Sequence, residues 1–388
     1  NIHTLCDVDA NRAAEAFNHF TKEKKRDDWR GKPEKEAKNL DGVVVSTPDH
    51  SHAVATMAAM KLGLAVYTEK PLTRTISESR ALATYATENR IVTQMGNQGH
   101  ATTGARMTNE WIQGGLLGDV TEVHCWTNRP VWPQGIVRPA AEAIPSTMNW
   151  DVWLGPAPVA PYSSKIAPFN WRGFWEYGAG ALGDMAAHII DHPYWALDLG
   201  QPESVAVEFD RANPASAKDS FPVSTVVSYE FGARGKRPPV TLKWFDGEKS
   251  PPFPETMEKE RQLPKSGGVI YYGSKNNMMH GSHGGTPRLF PETTMQAAAR
   301  AKDIPPKILP RSPGHYQEWI NAIKANDPSL AKSNFAYAGP LTEMMLLACV
   351  ATRVGPGTKL SWDSAAMKTN NAVANRYVQH EYRKGWSL

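Results

Sequence analysis

Leu64-Ala65-Val66-Tyr67-Thr68-Glu69-Lys70-Pro71-Leu72 sets the fold of this chain. Its first residues form an apolar run of strand length, and a helical pattern follows from Ser77 to Asn89. Lys70 therefore falls at the carboxyl end of a strand. In open α/β sheets ligands bind in the crevice beyond the carboxyl ends of the strands. Lys70 precedes a proline, and X–Pro is the common setting for a cis peptide. A surface lysine before a loop proline fits the same residues. The flanking pattern favours chemistry. Asp41-Gly42-Val43-Val44-Val45-Ser46-Thr47-Pro48 reads as a β-branched strand with a proline stop. A helix is predicted from Ala53 to Leu62, ended by Gly63. Arg90 to Met95 reads as another strand, ending at Gly96-Asn97-Gln98-Gly99-His100. Strand, helix, strand, helix, strand with short links means a parallel, doubly wound sheet.

Upstream, Ile2 to Asp9 reads as a short strand ending in acid, and Arg12 to Phe20 as a helix. An acid at that place can accept hydrogen bonds from ribose hydroxyls. Asp7 is the candidate and Asp9 the second, although a helix N-cap explains either equally simply. Lys22 to Arg26 reads as a solvated basic face. Asp49-His50-Ser51-His52 opens the helix after the Val43 strand, where turn or cofactor-edge duty and capping both fit. Third and fourth ligands at a zinc-like spacing are missing, so no metal is expected.

Downstream, Thr103 to Gly114 reads as a helix and Val120 to Thr127 alternates at period two. The domain boundary is placed near residue 119. Residues 129–180 are loop-like and rich in Pro and Trp, and loops that long are usually functional or disordered. Trp132, Arg172 and Tyr177 are the substrate candidates there. Gly178 to Gly183 then leads into a helix carrying Asp184, His188, Asp191 and His192. Asp184 and His188 are four apart and share one face. A carboxylate beside an imidazole orients it and raises its basicity, as a general base needs. Val205 to Phe209, Val223 to Phe231, Val240 to Phe245 and Gly268 to Tyr272 read as strands of a second, largely antiparallel sheet. Asn276 to Pro291, with His280, His283 and Arg288, fits a pocket edge or a mobile surface. Helices are expected up to Ala325 and over Pro340 to Arg353, before a polar tail.

The chain has 388 residues, 21% charged, with a net charge of +4 and no sustained basic stripe. That gives no reason to expect a nucleic-acid or membrane partner. Cys6, Cys125 and Cys349 are far apart and read as buried thiols rather than a disulfide framework. Thirteen Trp and 30 Pro suit a carbohydrate pocket or a packed core.

Four landmarks stand in order: Cys6-Asp7-Val8-Asp9, Ser46-Thr47-Pro48-Asp49-His50-Ser51-His52, Glu69-Lys70-Pro71-Leu72, and Gly183-Asp184 with His188 and Asp191. Together they resemble the Gfo/Idh/MocA oxidoreductase family over nearly the whole chain. The resemblance implies an α/β protein. A Rossmann domain (1–118) lacking its first strand would precede an α/β domain with a large, mostly antiparallel open sheet (119–360) and a tail (361–388). It implies a hydride transfer between a sugar or glycoside carbon and NAD, with NADP as the alternative. Lys70, Asp184 and His188 would be the catalytic residues. Asp7, Thr47, Pro48, His52, Glu69, Lys70 and Asn97 would face the cofactor, and Asp184, His188, Trp132, Arg172 and Tyr177 the sugar. A homo-oligomer, dimer or tetramer, is expected through the second sheet. The family's Gly-rich loop and first strand have no counterpart in the sequence, so an N-terminally cut enzyme is expected. Location is cytoplasmic by default, or periplasmic if the missing part carried a signal. Two other readings stay open. One is a redox-neutral NAD-dependent glycosidase, needing a further acid or base such as His192, His280 or Tyr177. The other is a non-catalytic relative without cofactor.

Overall fold

A computed structural model describes the chain except for residues 32–34, 36 and 211. Its strands are β1 (Thr4–Cys6), β2 (Lys24–Arg26), β3 (Gly42–Val45), β4 (Ala65–Thr68), β5 (Thr93–Met95), β6 (Val120–Thr127), β7 (Ser204–Glu208), β8 (Val226–Phe231), β9 (Val240–Phe245), β10 (Gly267–Gly273), β11 (Asn277–Gly281), β12 (Arg288–Phe290), β13 (Thr358–Asp363) and β14 (Lys368–Thr369). The helices are α1 (Ala10–His19), α2 (Asp49–Lys61), α3 (Ile76–Glu88), α4 (Thr103–Gln113), α5 (Trp150–Leu154), α6 (Gly180–Ile189), α7 (Asp191–Ala196), α8 (Glu292–Ala301), α9 (His315–Ala325), α10 (Phe335–Val354) and α11 (Ala372–Asn375).

β3, β4 and β5 form a parallel sheet joined by α2 and α3, as the apolar runs predict. Gly63, at φ +75°, closes α2 and turns the chain into β4. Thr75 opens α3, its N–H and hydroxyl both donating to the Glu78 carboxylate. α9 packs Ala322, Trp319 and Ile323 against Ala65 and Val92 of the sheet. The N-terminal part differs from expectation. Lys24-Lys25-Arg26, read as a solvated face, is a strand paired in parallel with β1. These two strands form a sheet of their own, so the expected doubly wound sheet is in two pieces. The outer edge of β3 pairs with no strand among the described residues, and Val44 there is 60% exposed. The charged side chains of β2 hid it, because a short edge strand carries little of the apolar period that marks strands.

The second sheet has nine strands in the order β12-β11-β10-β6-β9-β8-β7-β13-β14. Every neighbouring pair is antiparallel except β6–β9. One face is packed by α6 and α10 in the largest core, which includes Val205, Val227, Tyr229, Leu242, Trp244, Met344 and Leu347. α10 is long and apolar enough to cross a membrane by length and composition, but 83% of its most apolar window is buried. Asn334 caps it, accepting from the N–H groups of Ala336 and Tyr337. It is the central helix of the core and joins the two sheets by packing on α3 and α6. Residues 129–180 are ordered around a second core of Trp150, Trp153, Trp171, Phe174 and Tyr177. The polar tail returns as a strap: His380 and Arg383 bind the carbonyls of Pro156 and Gly155, and the Tyr382 hydroxyl donates to Glu78.

Candidate active site

β4 ends at Thr68, and the Lys70–Pro71 peptide that follows is cis. The lysine leaves the strand toward the start of α6. Its Nζ donates to Asp184 Oδ1 at 2.6 Å and to the Asp184 carbonyl at 2.9 Å. The two side chains keep 17% and 13% exposure, so the pair is enclosed yet reachable. Arg172 approaches the same carboxylate oxygen at 3.6 Å, with its guanidinium over the rings of Trp171, Phe169 and Trp132. Asp184 is thus held by two cations. Gly180 makes the start of α6 possible: at φ +66° it takes a conformation rare for other residues, and an added Cβ would strike Phe221.

One turn further along α6, His188 lies with its ring 4.3 Å from that of His283. His188 is 6% exposed, and its Nδ1 is buried with no hydrogen-bond partner among the described residues. Burial, and then the Lys70 ammonium, push its pKa well below the usual imidazole value. The ring is therefore neutral at neutral pH. The expected carboxylate–imidazole pairing falls elsewhere: Asp191 turns away from His188. It accepts from the His100 ring at 3.0 Å and from the Tyr337 hydroxyl at 2.7 Å. Ile190, between α6 and α7, keeps helical φ and ψ, so it is the pull of His100 and Tyr337, not a break in register, that takes the Asp191 carboxylate elsewhere. Burial alone would raise the Asp191 pKa, but the adjacent His100 outweighs it and holds the carboxyl below its usual range. This buried network joins α7, α10 and the turn after β5. Removing its anion leaves two buried polar partners unsatisfied, so Asp191→Ala should cost about 3–5 kcal/mol. A depressed pKa means that the contribution is present above about pH 4 and fades as pH falls through the folded value. Urea denaturation at pH 7 measures it, and a loss under about 1 kcal/mol would contradict the network's role.

Of the residues assigned to the cofactor, Glu69, Lys70 and Asn97 gather at the ends of β4 and β5. Glu69 leans over Gly96, where a Cβ would stand 2.4 Å from its Oε2, and Gln98 donates to its Oε1 at 3.4 Å. Asn97 accepts from the Ser333 hydroxyl, while its Nδ2 is buried without a partner among the described residues. Thr47 and Pro48 lie where β3 passes into α2. His52 is not free to face a ligand. It is 1% exposed, with Nδ1 2.8 Å from the Pro71 carbonyl and Nε2 2.7 Å from that of Thr47. Burial pushes its pKa down to about 4 although both carbonyls raise it, and as a neutral ring it donates to one of the two. Asp7 lies apart, beside a cleft of about 440 Å³ that Lys25, Arg26, Thr147 and Asn149 also line.

Of the substrate candidates, Trp132 and Arg172 reach the site and Tyr177 does not. Tyr177 is 1% exposed, packed on His50 and Trp153, with its hydroxyl bound by Arg138. His192 and His280 are buried behind the site. Asp49 was read as a turn or cap residue. It is buried, accepts from the Ala179 N–H, and burial pushes its pKa up to about 7 despite Arg172 and Lys70. Its place at a helix start gave no sign of this.

A nicotinamide nucleotide suits these groups. An orphaned amide nitrogen and a half-buried carboxylate stand at the ends of parallel strands, beside Lys70. An acid and a cleft lie at the end of β1. Residues 1–97 match a family model described as oxidoreductase family, NAD-binding Rossmann fold, and residues 106–234 match its C-terminal alpha/beta domain. The chain belongs to the Gfo/Idh/MocA oxidoreductase family. Among curated members, levoglucosan dehydrogenase of Pseudarthrobacter phenanthrenivorans is 26% identical over 48% of this chain and 40% of its own length. Rhizopine catabolism protein MocA of Rhizobium meliloti is 33% identical over 48% of this chain and 47% of its own. The chain thus matches less than half the length of either relative. Among solved structures, the WlbA dehydrogenase of Chromobacterium violaceum, in complex with NADH and UDP-GlcNAcA, superposes with a TM-score of 0.59. It is 15% identical, and the match covers 93% of this chain and 88% of that one. At that identity the likeness shows the fold alone.

Proposed function

We propose that this protein transfers a hydride between a hydroxyl-bearing carbon of a sugar or glycoside and NAD(P). The observation that carries the reading is the meeting of Lys70, Asp184 and His188 at the ligand edge of the parallel sheet. The names of the relatives, two of them dehydrogenases, support it. When bound, the nicotinamide supplies the hydride chemistry. The protein places the sugar and moves its proton. His188, neutral by burial, takes the hydroxyl proton on Nε2, the ring nitrogen opposite the buried Nδ1. Lys70 Nζ donates to the same oxygen and stabilises the negative charge that develops there. Asp184 accepts from a neighbouring hydroxyl, and Arg172 keeps it from turning away. Phe169, exposed and packed edge-on to the buried Trp132, offers its ring to the apolar face of the sugar. Glu69, Asn97, Thr47 and Pro48 hold the nicotinamide half, and Asp7 the adenosine ribose. The nine-stranded sheet serves contacts between copies.

The test is incubation with NAD or NADP and a panel of sugars and glycosides, following absorbance of the reduced nucleotide. Reduction with at least one sugar is expected. No reduction, and no NADH binding below about 1 mM, would end the proposal. The choice of nucleotide depends on Asp7, because an acid there binds ribose hydroxyls and repels a 2′-phosphate. Asp7→Ala should weaken NAD binding by about 10-fold or more, from the loss of a charged hydrogen-bond acceptor, and leave NADP nearly unchanged. Equal losses for both nucleotides in a fluorescence titration would remove Asp7 from that role.

A further inference from the structure

The turn between β11 and β12 holds His283 at φ +59°, in the left-handed region that residues other than glycine seldom occupy. Such a conformation persists only where surrounding contacts fix it, and it points to a functional reason. The contacts are specific. At Gly99 a Cβ would stand 2.8 Å from the His283 carbonyl carbon, and at Gly104 a Cβ would stand 2.3 Å from the Gly284 carbonyl oxygen. The Thr102 hydroxyl donates to the Gly284 carbonyl at 2.8 Å. Three small or short residues thus let the turn press on the segment after β5. The result is an exposed imidazole laid over a buried one, with ring centroids 4.3 Å apart and planes 32° apart.

The proton that His188 takes must reach water. Asp191 is committed to His100 and Tyr337, and Asp184 to Lys70 and Arg172. His192 and His280 lie deeper and are buried. His283 is the exposed neighbour. We propose that His283 is the solvent-side proton partner of His188, with one ring of the pair protonated at a time and the proton leaving to water through His283. The inference rests on the sugar-oxidation reading above. In the forward direction His188 gains the hydroxyl proton. It passes to His283 through one bridging water or a ring rotation, and from His283 to the buffer. No electrons move in the relay. Two imidazolium charges so close repel, so the second proton is disfavoured. Lys70, Asp184 and Arg129 face His283 with His188, and Lys70, His192, His283 and His315 face His188. Burial first, and then the Lys70 ammonium, favour the neutral form of each ring; Arg129 adds to this at His283 while Asp184 opposes it, and both pKa values lie below the usual value.

Two variants test the relay. His283→Asn tolerates the left-handed backbone, and His283→Phe keeps a ring over His188 while removing the titration. Imidazole NMR of the nucleotide-free chain, assigned with His188→Gln, should show the His188 pKa rising by about half a unit or more in both variants. Turnover should fall about 10-fold or more in both, and added imidazole should restore it in His283→Asn. Wild-type-like turnover with an unmoved His188 titration would overturn the inference. So would a loss confined to His283→Asn, since a cover alone would then suffice. A wild-type protein inert toward every sugar would instead count against the sugar-oxidation reading, and the NMR coupling would then decide the pairing alone.

Discussion

Lys70→Met is expected to lower turnover on the order of 10³-fold at saturating nucleotide and sugar, the cost typical of removing one preorganised donor to a developing oxyanion. The Lys70 ammonium is held at 2.6 Å by Asp184, and in the proposed reaction it donates to the oxygen that becomes the alkoxide. Met keeps the length and the packing of the stem and removes only the charge. Asp184 then retains Arg172 as its one cation, at 3.6 Å, so the carboxylate is not left unpaired and the fold should survive. Lys70→Arg tests geometry against charge. A planar fork cannot place a single donor where Nζ stands, so it should recover little of the lost rate. Steady-state kinetics beside a thermal melt separate catalysis from folding. A Lys70→Met protein within about 10-fold of wild type would remove Lys70 from the chemistry.

His188→Ala should lower turnover by at least about 100-fold with nucleotide affinity little changed, because a general base contributes 10²- to 10⁴-fold and touches the sugar rather than the adenosine half. The pH dependence carries the sign. With its pKa held well below the usual imidazole value by burial, His188 is already in its base form at neutral pH. The acid limb of the pH–rate profile should therefore lie below pH 6.5 and disappear in His188→Gln. A limb that persists unchanged in that variant belongs to another group. Wild-type-like turnover in His188→Ala would exclude it as the base.

The parallel β3–β4–β5 unit was legible because its first two strands carry apolar, β-branched runs and Gly63 marks the end of the helix between them. The meeting of Lys70 with Asp184 was legible only through the order of the landmarks, since 114 positions separate them. β2 was hidden by three charged residues on an edge strand. Asp191 stands three residues after His188, but helical spacing could not register that His100 and Tyr337, distant in sequence, hold its carboxylate. Tyr177 and His52 look like ligand contacts by type, yet packing gives Tyr177 an aromatic cluster and His52 two backbone carbonyls. Nothing local marks a buried ring as structural rather than functional.

By itself, the sequence determined the parallel β3–β4–β5 unit, the change to a largely antiparallel second sheet and the chemical identities of the lysine, aspartate and histidine. Those follow from local rules: periodicity sets which face is buried, and Gly and Pro set where the chain turns. Only the tertiary structure decided that His188 lies in a cationic, desolvated setting without a carboxylate, and that His283 covers it. It alone brought Asp49 within the electrostatic reach of Arg172 and Lys70. The reason is physical. Burial and charge proximity depend on residues brought together across the chain, and a pKa or a contact of that kind has no signature in any short stretch of residues.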